Sequence, residues 1–442
     1  MLLAGRLLLL SLAVVTVACA GRKPAVSDQA TPAVVSLDAC AERYVKLGLA
    51  LGQHDANYVD AYYGPPAWAA QAKATSVSLA ELESQAAALA RELAAVPVPA
   101  DPLVALRRGY LLRQSQALAA RVRLLRGEVL AFDDESEALY DARAPSHDDA
   151  HFMALQAELE RLLPGPGPLA DRVERFRLEF VVPPDRLDVV MRTALAEARR
   201  RTLLRVDLPA NERVDLELVT GKTWGGYNWY RGDARSLVQI NTDLPIFIGR
   251  AIDLAAHEGY PGHHVYNVLL EQHLMRGRGW LEFSLYALYS PQSLIAEGSA
   301  TYGVEVAFPD APEYLRDVLF PLAGLDPRRA ELYASVEELQ KRLGYAQNEA
   351  ARGFIDGRLT RAEASAWLAR HGLVSLERAD KLMSNVEVTR TYVINYNLGR
   401  DLVADWIERQ GGTAAAPDRR WQLFLELLSS PRLPGDLRRP GA

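Results

Sequence analysis

His257-Glu258-Gly259-Tyr260-Pro261-Gly262-His263-His264 follows an apolar stretch, Ile246 to His257, whose near-continuous hydrophobicity predicts a buried helix. Three of the chain's eight histidines fall within it. On a straight helix His257 and His263 would stand ~9 Å apart along the axis and on different faces, while His264 would share the face of His257 at ~10.5 Å. Two imidazoles on one zinc ion need nitrogens about 3.3 Å apart, given Zn–N distances near 2.0–2.1 Å. The helix must therefore break, and Pro261-Gly262 is where it can. Proline removes a backbone donor and clashes with the preceding turn, while glycine accepts φ > 0. A two-residue bulge there puts His263 in the place of an i+4 histidine. His264 then supports the ligands from outside the metal's own shell or faces the substrate, and is the alternative ligand.

His-Glu at the end of a buried helix opens the zincin motif, in which the histidine is a ligand and the glutamate a general base. That assigns His257 and His263 to the metal and Glu258 to catalysis. The third ligand expected is Glu297, in Ala296-Glu297-Gly298-Ser299-Ala300-Thr301-Tyr302 on a following helix. Two histidines and a glutamate leave a fourth position open for water, the arrangement of catalytic rather than structural zinc. Glu305 and Asp253 are candidates for the outer shell. Tyr396 either donates to the oxyanion of a tetrahedral intermediate or packs as a core tyrosine, and Tyr302 reads as packing.

The motifs His-Glu-x-x-Pro-Gly-His-His, Glu-Gly-x-Ala-x-Tyr and Tyr396-x-x-Gly399 together resemble the bacterial domain-of-unknown-function family 885, a family regarded as zincin-like zinc metallopeptidases. The resemblance covers roughly residues 211–409 and extends through Tyr58-Val59-Asp60-Ala61-Tyr62-Tyr63-Gly64-Pro65. Ser299, Thr301 and Val304 depart from the family's preferred residues and leave Glu297 intact. The resemblance implies a large helical metallopeptidase with a cleft between two helical halves.

Around these motifs the 442 residues have ordinary globular composition, with 49% hydrophobic and 24% charged, which excludes disordered and fibrous classes. With 50 basic against 56 acidic residues and no long basic run, nucleic-acid binding is not expected. Residues 1–19 read as a secretory signal peptide of lipoprotein type, with Cys19 lipidated; an A-x-A cut at Ala18-Cys19-Ala20 is the alternative. Either leaves Cys40 as a free thiol. Residues 20–35 form a tether, 36–209 an N-terminal helical region and 210–442 the catalytic zincin-like region. No later segment is long enough to span a membrane, so membrane contact is expected only through the N-terminal lipid.

Most of the chain has helical periodicity. Ser78 and Glu81 cap one helix, Leu103 to Leu125 forms a long one, and Pro164-Gly165-Pro166-Gly167-Pro168 is a clear break. Val214–Val219, Tyr227–Tyr230 and Leu237–Asn241 read as strands. The last is either an edge strand that pairs with an extended peptide or an interior strand. The expected fold is mainly α, with a small antiparallel sheet beside the active-site helix. The expected activity is that of a periplasmic, envelope-anchored zinc metallopeptidase acting on peptides. The alternatives are a zinc hydrolase of another amide or ester, and a catalytically silent binding protein on the same scaffold.

Overall fold

The computed structural model describes residues 36–222 and 224–439. The expected signal peptide 1–19, its lipidation point Cys19 and the tether 20–35 lie outside the described residues. Helices form where period and caps place them. Ser78 Oγ accepts from the Glu81 amide at 3.2 Å at the head of Leu79–Ala95. Asp101 caps Pro102–Leu125 through the Leu103 and Val104 amides. Both satisfy donors that a first helical turn leaves unpaired. The Pro164–Pro168 run separates the helices Asp149–Leu162 and Leu169–Leu178. Pro184 opens Pro184–Leu203, at a position where the missing amide had no partner to lose.

The chain is mainly α, and its strands are few and short. Residues 36–209 and 210–439 belong to one compact unit, joined by a hydrophobic core that runs continuously from Cys40 to Leu437. Cys40 is a free thiol within it. Among the described residues no helix is long and apolar enough to cross a membrane.

Among the described residues five strands make two small sheets: β1 (Val59–Tyr62), β2 (Arg213–Val219), β3 (Gly226–Tyr230), β4 (Arg235–Asn241) and β5 (Leu285–Ala287). β1 pairs antiparallel with β5, and β3 antiparallel with β4. The mainly α fold with a small sheet beside the histidine motif is the one expected; within that sheet β2 runs parallel to β4, in the order β2–β4–β3. The short link after β2 reverses the chain but leaves a gap, and β4 fills it. With most of its residues buried, Val238 and Ile240 among them, β4 is the strand suited to the interior. Both its edges are taken, so Leu237–Asn241 is not an edge for a peptide. The edge beside the histidine motif belongs to β3.

The helix Pro291–Ala307 is buried nearly all round, as its apolar composition requires. It crosses Ile394–Arg409 at a point made by two glycines. A Cβ on Gly298 would stand 2.3 Å from the carbonyl carbon of Gly399, and one on Gly399 would stand 2.9 Å from the Cα of Gly298. Backbone meets backbone here, which brings Glu297 and the tyrosines ahead of Gly399 together. Gly298→Ala must push the two helices apart, at an expected cost of about 1–3 kcal/mol or more. A lower denaturation midpoint with an unchanged denaturant slope would confirm this.

Candidate metal centre

The helix that leads into the motif runs regularly over Gly249–Leu254 and then widens into a π-turn over Ala255–Gly259. π-Turns recur at functional sites because they displace side chains from the regular helical grid. Tyr260 is extended at φ −125°, ψ 114°, the Tyr260–Pro261 peptide is cis, and a new helix starts at His263. The return is hydrogen-bonded: the Tyr260 amide reaches Ala255 O at 3.0 Å and the Gly262 amide reaches Ala256 O at 2.9 Å. Gly262 is needed for a reason other than the one expected. Its φ is −73°, so no left-handed conformation is involved. Instead, a Cβ there would lie 2.0 Å from His257 O and 2.5 Å from Ala256 O.

This break brings three side chains together. His257 Nε2 lies 3.1 Å from His263 Nε2 and 3.1 Å from Glu297 Oε2, and His263 Nε2 lies 3.6 Å from the same Glu297 oxygen. A triangle with these sides has a circumscribed radius of about 1.9 Å, so one cation at zinc's usual 2.0–2.1 Å suits all three atoms. Two neutral nitrogens and one carboxylate oxygen are also the donor types that zinc takes. Among the described residues no other trio of His, Cys, Asp or Glu has this geometry.

The electrostatics agree with the distances. Burial works against the charge on His263, but Glu297, Glu258 and Asp60 outweigh it and raise its pKa to about 9. Burial likewise opposes ionisation of Glu297, yet the two imidazoles hold its carboxyl far below the usual range. These groups thus attract positive charge to the point between them.

Neighbouring groups fix the ligands. Tyr392 donates its hydroxyl to Glu297 Oε1 at 2.7 Å, which turns the other oxygen toward the histidines. Thr301 Oγ1, one turn beyond Glu297, stands 3.5 Å from His257 Nδ1. Neither residue was assigned this part from sequence. The available signal was that Tyr392 lies one turn before Tyr396. Asp253 and Glu305 do not fill the outer shell: Asp253 pairs with Arg250, and Glu305 with Arg400. Tyr302 accepts a hydrogen bond from Arg420 and is packing. Tyr392→Phe is expected to weaken metal affinity about 10–100-fold while the fold survives; competition with a chelator measures this.

Glu258 is 7% exposed, and its carboxyl lies against Gly226 of β3. Asn228 Nδ2 donates to its main-chain carbonyl. Burial raises the Glu258 pKa, only partly countered by His257 and His263. Among the described residues no donor engages its carboxylate, so its proton-accepting capacity is free. Tyr396 is 44% exposed and not a core tyrosine; its ring stacks on His257 with centroids 6.3 Å apart.

His264 is carried the other way and is neither ligand nor substrate-facing. One residue along a helix turns a side chain by about 100°, so when His263 faces the trio His264 faces the core. It is fully buried, with Nδ1 2.9 Å from Ser236 Oγ and Nε2 3.1 Å from Glu212 Oε2. Tyr260 OH donates to the same Glu212 oxygen at 2.6 Å and Arg199 Nε to the other at 2.7 Å. Although burial opposes it, these donors hold Glu212 at about 2. The cluster anchors the kink from behind.

No family model and no curated protein matches this chain. Among solved structures it is similar to a candidate lipoprotein from Colwellia psychrerythraea, with a TM-score of 0.52 and 15% identity. The match covers 82% of this chain and 62% of that one, so the chain spans less than two thirds of its length. At this identity the likeness concerns the fold alone.

Proposed function

We propose that this protein is a zinc-dependent hydrolase that cleaves peptides, with His257, His263 and Glu297 as ligands and Glu258 as general base. The observation that carries the reading is the set of 3.1, 3.1 and 3.6 Å separations among the three ligand atoms, with an unengaged buried carboxylate on the residue next to His257. When bound, zinc supplies Lewis acidity, which polarises a carbonyl and acidifies water. Glu258 takes a proton from the attacking water and returns it to the leaving amine; a raised pKa suits a group that must do both. Tyr396, open to solvent beside His257, donates its hydroxyl to the carbonyl oxygen as negative charge builds there. The resemblance to family 885 supports peptides as substrates. The candidate-lipoprotein character of the similar Colwellia fold supports an envelope location with an anchor at Cys19.

Metal analysis of the purified protein tests this. The expected result is about one zinc per chain, falling at least about tenfold in His257→Ala because two ligands cannot hold what three do. Protein without divalent metal, or without metal-dependent cleavage of any member of a peptide library, would overturn it.

A further inference from the structure

Asp60 is not one of the metal ligands, yet its charge is coupled to theirs. It lies on β1, where Val59 pairs with Ala287 and Ala61 with the next residue back, Tyr286, so Asp60 is the extra residue of a β-bulge and has no partner across the ladder. Bulges re-aim a side chain that a regular strand would point elsewhere. Here the carboxylate turns toward β3, where Tyr227 donates its hydroxyl to Oδ1. The next residue on β3, Asn228, holds the main chain of Glu258. Tyr227 and Asn228 are neighbours on β3, so one short strand ties Asp60 to Glu258, and the charge of Asp60 acts on His263 and on Tyr396. Among the described residues no Lys or Arg pairs with it, and Tyr227 occupies only one of its oxygens.

Its one opposite charge is that of His263, which is neutral once it ligates a metal; a partly buried carboxylate with no Lys or Arg beside it is then costly unless something positive arrives. Burial already raises its pKa, to about 6, against the opposing effect of the Tyr227 hydrogen bond. Nothing in the proposed chemistry uses Asp60: it is not in the trio, and Glu258 already serves as base.

We propose that Asp60 is the seat for a primary ammonium group of the substrate, so that cleavage occurs next to a positively charged end or side chain. The inference rests on the hydrolase reading above and deepens it by naming a substrate class. Tyr227 is the positioning residue. Its hydroxyl fixes one oxygen and leaves the other to meet the ammonium.

The test is binding rather than turnover. Full-length Glu258→Gln protein is titrated calorimetrically with tetra-alanine amide, with its N-acetylated form, and with an N-acetylated peptide amide carrying a single lysine. The amino-terminal peptide is expected to bind at least tenfold more tightly than its acetylated twin. The lysine peptide shows whether a side-chain ammonium serves as well as a terminal one. Adding Asp60→Asn should remove the preference while leaving affinity for the acetylated peptide unchanged, a pattern that loss of packing alone would not give. Tyr227→Phe, which keeps the carboxylate, should retain part of the preference and covers the case in which Asp60→Asn does not fold. Equal affinity for the three peptides, or a preference that survives Asp60→Asn, overturns the proposal. Wild-type protein that cleaves blocked and free peptides equally also sinks it and leaves the hydrolase reading standing. Ammonium-selective binding without any hydrolysis does the reverse.

Discussion

Glu258→Gln is expected to lower turnover by about 10²–10⁴-fold while the protein keeps its metal. The substitution changes one atom and preserves the side chain's volume, so the packing against Gly226 and the hydrogen bond from Asn228 to the main chain both persist. It removes the ability to accept a proton on the residue next to His257, and the neighbouring carboxylate Glu297 is held by Tyr392 and the histidines. Metal content should stay at the wild-type value because the three ligand atoms are untouched. The two readouts separate the roles. Metal lost along with activity would make Glu258 a ligand, and undiminished turnover on a cleaved peptide would remove it from the chemistry.

The parts of this centre differ in how well they can be read from the chain. Helix ends are legible where a cap or a proline fixes them, as at Ser78 and at the Pro164–Pro168 break, because those effects act within one turn. The three strands near the motif are legible to within two residues from alternation. Their order is not, since alternation reveals which face is buried and says nothing of neighbours; that β4 lies between β2 and β3 follows from tertiary burial. β1 hid for a related reason. Four residues between a helix and a Gly-Pro turn carry no period, and the bulge that makes Asp60 notable exists only against β5. The choice between His263 and His264 depends on the phase in which the second helix starts, which Tyr260 and its anchor Glu212 decide. Tyr392 reaches Glu297 because Gly298 and Gly399 allow two helices to touch, a contact between residues about a hundred positions apart. The motif glycines thus place the tyrosines, and their own chemistry is only the lack of a side chain.

Gly262→Ala should be among the most damaging single-methyl additions in the protein. The new Cβ would sit 2.0 Å from His257 O, 2.5 Å from Ala256 O and 2.6 Å from His257 C. All three are backbone atoms, so no rotamer change relieves the clash, and the Gly262 amide is itself bonded to Ala256 O at 2.9 Å. Either that hydrogen bond opens or the end of the π-turn moves, and both displace His257 relative to His263. The stability cost is expected to be about 3 kcal/mol or more. For a chain of this length, with about 2.1 cal/mol/K of unfolding entropy per residue, that lowers the Tm by only about 3–4 °C. The larger effect should fall on the metal. Two imidazole nitrogens held at 3.1 Å tolerate little separation before one cation can no longer satisfy both, so zinc affinity is expected to fall at least about 100-fold. Calorimetry and chelator competition on the same preparation distinguish the outcomes. A modest loss of Tm with a large loss of zinc identifies the proline–glycine step as the device that builds the site. Unchanged zinc affinity in a folded Gly262→Ala protein would mean that the two histidines are brought together by something other than this turn.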